Sequence, residues 1–449
     1  MSEQEKSRSW FGQPPGLTIL FLTETWERFS FYGMSALLIY YMTKQLQFAQ
    51  ADASMVYGLY SGGVYLTPIA GGFIADRWLG KRRAILLGGT MMAIGHFALA
   101  WESQFYPGLW LICLGNGLFL PNLPSQIAEL YGEDDPRSGR AYNVYYVGVN
   151  LGGLLAPCVC GTLGEVYGWH WGFGAAGVGM CLGMAIYVLG QRHLPQARPR
   201  DPAGASERAA PAVRRDGPQP WLPLLGVSLA VILFRSAYAQ SGNTLAVWVD
   251  QSVDLHLQGL PIPATWIQSL NPLFVFLFTP LLIGHWRRQA RRGREPAALM
   301  KMVLGAVGLA GAYLLLALVA MSARTGLVPV AWVFLFFGIY TMAELFILPV
   351  GLGLFASLAP RGLNATMIAA WFLAAFFGNL LSGFVGRCWE PLGPVGFFVL
   401  QTALAGAGAI GLFCLRPALR SQSEPMNTTE TPSLRIPCSP GLSVADQKG

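Results

Sequence analysis

The sequence predicts an all-α membrane protein of about twelve spanning helices arranged as two six-helix bundles, and three observations lead there. Of the 449 residues, 53% are hydrophobic and only 12% are charged, whereas an ordinary soluble domain carries about 25% charged residues. Apolar stretches of about 20 residues, enough to cross a bilayer, recur along most of the chain. These stretches fall into two groups of six. Between them residues 191–220, rich in Pro, Ala and Arg, cannot bury a core and read as a flexible linker.

Apolar runs bounded by charged or Gly/Pro breaks place spans 1 to 6 near 17–43, 54–76, 82–101, 107–131, 139–164 and 171–190. Spans 7 to 12 follow near 221–250, 264–286, 298–321, 328–357, 362–387 and 394–415. The expected organisation is a first bundle over 1–190, the linker, a second bundle over 221–420 and a Ser/Thr/Pro-rich disordered tail over 421–449. Two six-helix halves joined by a long linker is the major facilitator arrangement, in which the halves rock about a site near the bilayer midplane. The 54 glycines include pairs at 62–63, 71–72, 88–89 and 152–153, and small residues let helices approach closely in a membrane.

Charge placement orients the chain. Most of the 30 Lys and Arg fall on one side: Lys6 and Arg8, Arg77 to Arg83, Arg137 and Arg140, Arg192 to Arg215, Arg287 to Lys301, and the tail. The opposite side receives Lys44, Arg324 and Arg387, while Arg28 and Arg235 lie inside helices. The positive-inside rule therefore puts both termini and the linker in the cytoplasm. The formal charge of +7 follows from this topology and gives no reason to invoke nucleic acid. The seven cysteines lie mainly in apolar helices without framework spacing and read as packing residues. The first apolar segment carries Glu24, Glu27 and Arg28 and lacks a small-residue cleavage site, so it is expected to remain as span 1.

Span 1 also holds the densest chemistry, in Glu24-Thr25-Trp26-Glu27-Arg28-Phe29-Ser30-Phe31-Tyr32-Gly33. A charged side chain at a membrane-helix centre costs about 2.5–3.5 kcal/mol on insertion scales, so these three must face the bundle interior or a wet cavity. Glu24 and Arg28 are spaced i,i+4 and Glu24 and Glu27 i,i+3, which puts them on one face with Tyr32 one turn beyond. The cluster reads either as a proton or substrate site or as ions that lock a helix. A zwitterionic ligand needs a fixed cation and a fixed anion on opposite walls of a low-dielectric cleft, and Arg28 in the first half and Glu344 in the second supply such a pair.

This decapeptide resembles the ExxERFxYYG signature of the proton-dependent oligopeptide transporter family, with Phe31 in place of the first tyrosine. GGFIADRWLGKRR at 71–83, between spans 2 and 3, resembles the loop signature of the wider facilitator superfamily through Asp76, Arg77, Gly80 and Lys81. Tyr145 to Gly152 in span 5, Gln268 to Leu273 in span 8, and Ala343-Glu344-Leu345 ahead of Pro349 and Gly351 in span 10 extend the likeness over most of 15–416. The resemblance implies proton-coupled symport of di- or tripeptides or peptide-like solutes by alternating access. It implies that Arg28 helps hold the peptide carboxylate and that Asn150, Asn271 and Glu344 receive the amino end. By the same likeness Tyr32, Tyr65 and Trp371 line side-chain pockets, and Glu24, Glu27 and Arg28 take part in proton coupling.

Three charges of the family pattern are missing. The first motif is usually followed by Met-Arg, but here by Met34-Ser35; a lysine usually precedes Pro121-Asn122, where Leu120 stands; a glutamate usually precedes Gln240, where Ala239 stands. The span 1 arginine and span 7 glutamate pair with each other in the family, so their joint loss avoids an unpaired buried charge. Arg235 is a new cation one turn before Ala239, where relatives have an aromatic residue, and it is read as a substrate-binding residue of the cavity. These departures keep a second reading open, an exporter or differently coupled carrier of a peptide-like metabolite or anion. An enzyme has little support, since HExxH, G-x-S-x-G and Walker A patterns are absent. The expected partners are a small peptide and the lipid bilayer, with no nucleic acid; no cofactor is implied beyond protons, and the expected form is a monomer in the inner membrane.

Overall fold

The structure is a computed structural model that describes residues 12–131, 135, 137–195, 221–257, 259–323, 326–358 and 364–418. Most of the predicted linker and the tail from 421 lie outside the described residues, as do the ends whose sidedness the sequence predicts. Among the described residues the helices group into twelve stretches that follow the predicted spans. They are α1 (Pro15–Tyr40), α2 (Gln50–Ile74), α3 (Lys81–Ala98), α4 (Phe105–Phe119), α5 (Ser138–Ala156), α6 (Trp169–Gly190), α7 (Trp221–Tyr238), α8 (Leu270–Arg291), α9 (Ala298–Ser322), α10 (Val330–Ser357), α11 (Asn364–Gly386) and α12 (Trp389–Cys414). Eight, α5 to α12 with their continuations, are long and apolar enough to cross a membrane. The first four fall outside that set; α1 carries three charges, α3 opens on Lys81-Arg82-Arg83, and α4 is cut to 15 residues.

Where the helices depart from the predicted spans, the backbone explains it. Span 4 is not continuous, because Pro121 has no N–H to donate; the chain resumes as Asn122–Glu129. The Asn122 side chain donates to the Leu118 carbonyl at 2.7 Å across this break. Span 7 breaks after Tyr238 into a short 3-10 turn and resumes as Thr244–Ser252. Carbonyls freed by such a break have no water to turn to in a bilayer core. Here the Tyr313 hydroxyl donates to the Ala237 carbonyl at 2.7 Å and that of Tyr340 to the Tyr238 carbonyl at 2.9 Å. Span 12 starts five residues earlier than its predicted Pro394, with a kink at Gly393, whose φ is 62°.

Packing within each half repeats. In the first, α1 packs on α5 and α6, α2 on α4, and α3 on α4 and α6; adding six to each number gives the pairings of the second half. The halves meet where α2 packs on α11 and α5 on α8, and the same shift of six exchanges these two seams. This is the signature of two repeats about a central axis. The α2–α11 seam is tight because both helices present glycine. A Cβ built on Gly58 would lie 2.6 Å from the Gly383 Cα, closer than any real contact.

Hydrogen bonds pin the halves together at one end. There the Tyr40 hydroxyl donates to the Ala246 carbonyl (3.1 Å), Ser54 to Asn243 (2.9 Å), and Lys44 pairs with Asp250 (2.8 Å). The Glu165 carboxylate accepts from the backbone N–H groups of Ala264 (3.1 Å) and Thr265 (2.9 Å), and Trp266 donates to Thr162 (2.8 Å). Arg77 and Lys81 sit beyond the other end of α2, after Ile74.

Candidate functional site

Between the halves lies a set of ionisable side chains that the span 1 spacing anticipates. Arg28 Nε donates to Glu24 at 2.8 Å and lies 3.2 Å from the Glu27 carboxylate, so a single guanidinium serves two acids on its own helix. Both acids are buried and Arg28 keeps 12% of its side-chain surface. Apart from that ion pair, neither Glu27 oxygen has a hydrogen-bond partner. Burying a charge is costly unless it is paired and hydrogen-bonded; Glu24 meets that condition more fully than Glu27. Above them Tyr32 is 37% exposed, although it lies in the middle of a spanning helix. Tyr146 of α5, at 43%, matches it. Together they show that packing leaves this part of the face between the halves open.

The facing wall comes from α7, α8 and α10. Asn271 donates to Glu344 at 2.6 Å and to Thr341 at 3.1 Å. Glu344 also faces the Tyr238 hydroxyl, with Arg235 as the nearest cation. Arg235 is buried; its guanidinium lies over the rings of Tyr65 at 4.8 Å and Tyr238 at 5.8 Å and reaches the Tyr65 hydroxyl at 3.4 Å. Tyr238 is immobilised by stacking on Tyr340 (4.7 Å between ring centres) and Phe234 (5.9 Å).

The structure thus brings Glu24, Glu27, Arg28 and Tyr32 together on one wall and Arg235, Asn271 and Glu344 on the other, with Tyr65 of α2 touching Arg235 across the seam. Asn150 is buried and donates to the Tyr146 carbonyl at 2.9 Å on its own helix. Trp371 stands apart: it packs edge-on against Phe355 at 5.4 Å and lies against Gly351, in the seam between α10 and α11. The loop signature sits at the cationic end. Gly80 has a φ of 75°, the left-handed region that glycine enters without strain, and Lys81 pairs with Glu129 at 2.5 Å. Asp76 and Arg77 beside them are exposed.

Sequence reasoning missed Tyr238 and Tyr146. Tyr238 was findable, since it follows Arg235 by one turn and directly precedes the Ala239 that departs from the family pattern. Nothing in the sequence separates Tyr146 from the packing aromatics around it.

Comparison with known proteins fits this geometry. The model of the POT family matches residues 82–209 and 222–390. The di-/tripeptide transporter of Lactococcus lactis subsp. cremoris is 30% identical over 92% of this chain and 97% of its own length. A crystal structure of a peptide transporter POT in complex with sulfate superposes with a TM-score of 0.84 at 27% identity, covering 93% of this chain and 98% of that one. A POT family transporter in complex with 5-aminolevulinic acid gives 0.83 at 25% identity, covering 92% and 98%. With sequence, fold and the paired charged walls in agreement, the chain belongs to the POT family of secondary transporters and has the major facilitator fold.

Proposed function

We propose that this protein is a proton-coupled symporter of di- or tripeptides or similar small zwitterions, working by alternating access. The observation that carries the reading is the pair of charged walls: a ligand with an ammonium and a carboxylate finds Glu344 with Asn271 and Asn150 for one end and cationic Arg28 and Arg235 for the other. Tyr32 and Tyr65 would shape the side-chain pockets, whereas Trp371 would support them from the seam between α10 and α11. Glu27, buried and lacking hydrogen bonds beyond its contact with Arg28, is the acid best placed to exchange a proton, with Glu24 holding Arg28 in register. Protonation of such an acid drives transport only if it releases a pairing that one state depends on, and the shared Arg28 is such a pairing. Asp76, Arg77, Gly80 and Lys81 would shape the loop that moves with α2 and α3. The relatives named as peptide transporters and the relative solved with 5-aminolevulinic acid support a small amino-bearing ligand. The same reading makes the protein a monomer of the plasma membrane, not an enzyme, with the proton as coupling ion and no other cofactor.

The test is uptake of labelled dialanine into liposomes holding the purified protein, with and without an inward proton gradient. Gradient-driven uptake that Glu27→Gln abolishes supports the proposal. Uptake indifferent to the gradient favours the alternative, a differently coupled carrier or exporter, which Ser35, Leu120 and Ala239 support by standing where family charges are expected.

A further inference from the structure

We propose that Arg235, and not Arg28, grips the carboxylate of the transported solute, so that both ends of the ligand are read by the second half: carboxylate on Arg235, ammonium on Glu344. This assignment rests on the peptide-carrier reading above. Arg28 is already engaged by two carboxylates, at 2.8 and 3.2 Å, and a third anion would meet a cluster that already carries two acids for one base. Arg235 is in the opposite condition. Among the described residues no carboxylate comes within ion-pair distance of it, its Nε is buried without a hydrogen-bond partner, and its contact with the Tyr65 hydroxyl is a long 3.4 Å. The rings of Tyr65 and Tyr238 flank its charge, and Glu344 acts on it without contact.

A buried cation with no acid in direct contact has room for one, and an arriving carboxylate supplies it, since the guanidinium fork matches a carboxylate bidentately. Glu344 acts on Arg235 at a distance but does not pair with it, and Tyr238 stands beside both. Held by stacking contacts with Tyr340 and Phe234, that ring lies 5.8 Å from the Arg235 guanidinium and turns its hydroxyl to Glu344. It therefore acts as a spacer that keeps the two charges apart for a ligand to bridge. The ligand class follows: small zwitterions with both groups free. Because Arg235 lies on α7 and Tyr65 on α2, a carboxylate held there also sits at the seam between the halves.

The experiment uses the full-length protein in lipid nanodiscs and compares calorimetric binding of dialanine with that of its C-terminal amide, which keeps the amino group and lacks the carboxylate. Wild type is expected to prefer the acid by at least tenfold, about 1.4 kcal/mol. In R235Q that preference falls close to one while affinity for the amide is unchanged, and R235K restores part of it. Retention of the full preference in R235Q overturns the assignment and leaves the peptide reading intact. Failure of wild type to bind either compound overturns the peptide reading and this assignment with it. Should R235Q bind neither, R235K carries the test: a reduced preference supports the proposal, and an unchanged one overturns it.

Discussion

The two walls of the cavity handle charge in opposite ways. On α1 the acids and the arginine are neighbours on one helix, separated by 2.8 and 3.2 Å. On the facing wall, acid and arginine come from different helices and an aromatic ring holds them apart. A cluster that satisfies itself locally suits a proton, which changes the count of charges without needing room. A pair held apart suits a ligand that carries both signs and spans the gap. Between the walls the exposure of Tyr32 and Tyr146 shows where packing is open.

The difference can be broken from either side. Arg28→Ala should have the largest effect, because it strands Glu24 and Glu27; breaking a buried pair by removing one partner costs about 3–5 kcal/mol. Gradient-driven uptake is expected to fall to background and thermal unfolding to shift downward, both measured on the same preparation. Glu344→Gln keeps a group that Asn271 can bond and removes the charge. It should weaken binding of free-amino dipeptides by about ten- to a hundredfold, the range of a charge-assisted hydrogen bond, while N-acetylated dipeptides, which carry no ammonium, should be unaffected. Tyr238→Phe retains the ring stack and the face offered to Arg235 but loses the hydroxyl on Glu344; about 1 kcal/mol, or roughly fivefold in affinity, is expected in calorimetry. Lys44→Ala sharpens the comparison as a baseline. Its pair with Asp250 joins the halves at the closed end with 42% of the lysine side chain exposed, and such pairs contribute about 0.2–1 kcal/mol. Initial uptake rates should change by less than about fivefold.

How legible these features were depends on the distance over which they form. The α1 cluster was readable because i,i+3 and i,i+4 spacing places side chains on one helix face regardless of what packs around it. Arg235 was readable as an intruding charge, but its lack of a carboxylate partner was not, since that depends on where α2 and α10 stand. The break in α7 was hidden as well. Nothing in Ala239 to Asn243 compels it, and it persists because Tyr313 and Tyr340, more than 70 residues later, donate to the freed carbonyls. Trp371 shows the converse. Family likeness offered it as a pocket residue, and packing against Phe355 and Gly351 placed it in a helix seam.

By itself the sequence determined the number and order of the helices, their division into halves, the sidedness expected from its cations and the local grouping of Glu24, Glu27 and Arg28. All of these follow from hydropathy, loop charge and helical periodicity, which act within a turn or a span. Only the tertiary structure decided which charges are paired and which are left open. Burial and distance between α1, α2, α7 and α10 set that outcome, and a single guanidinium can be neutralised or stranded by a few ångströms of helix placement.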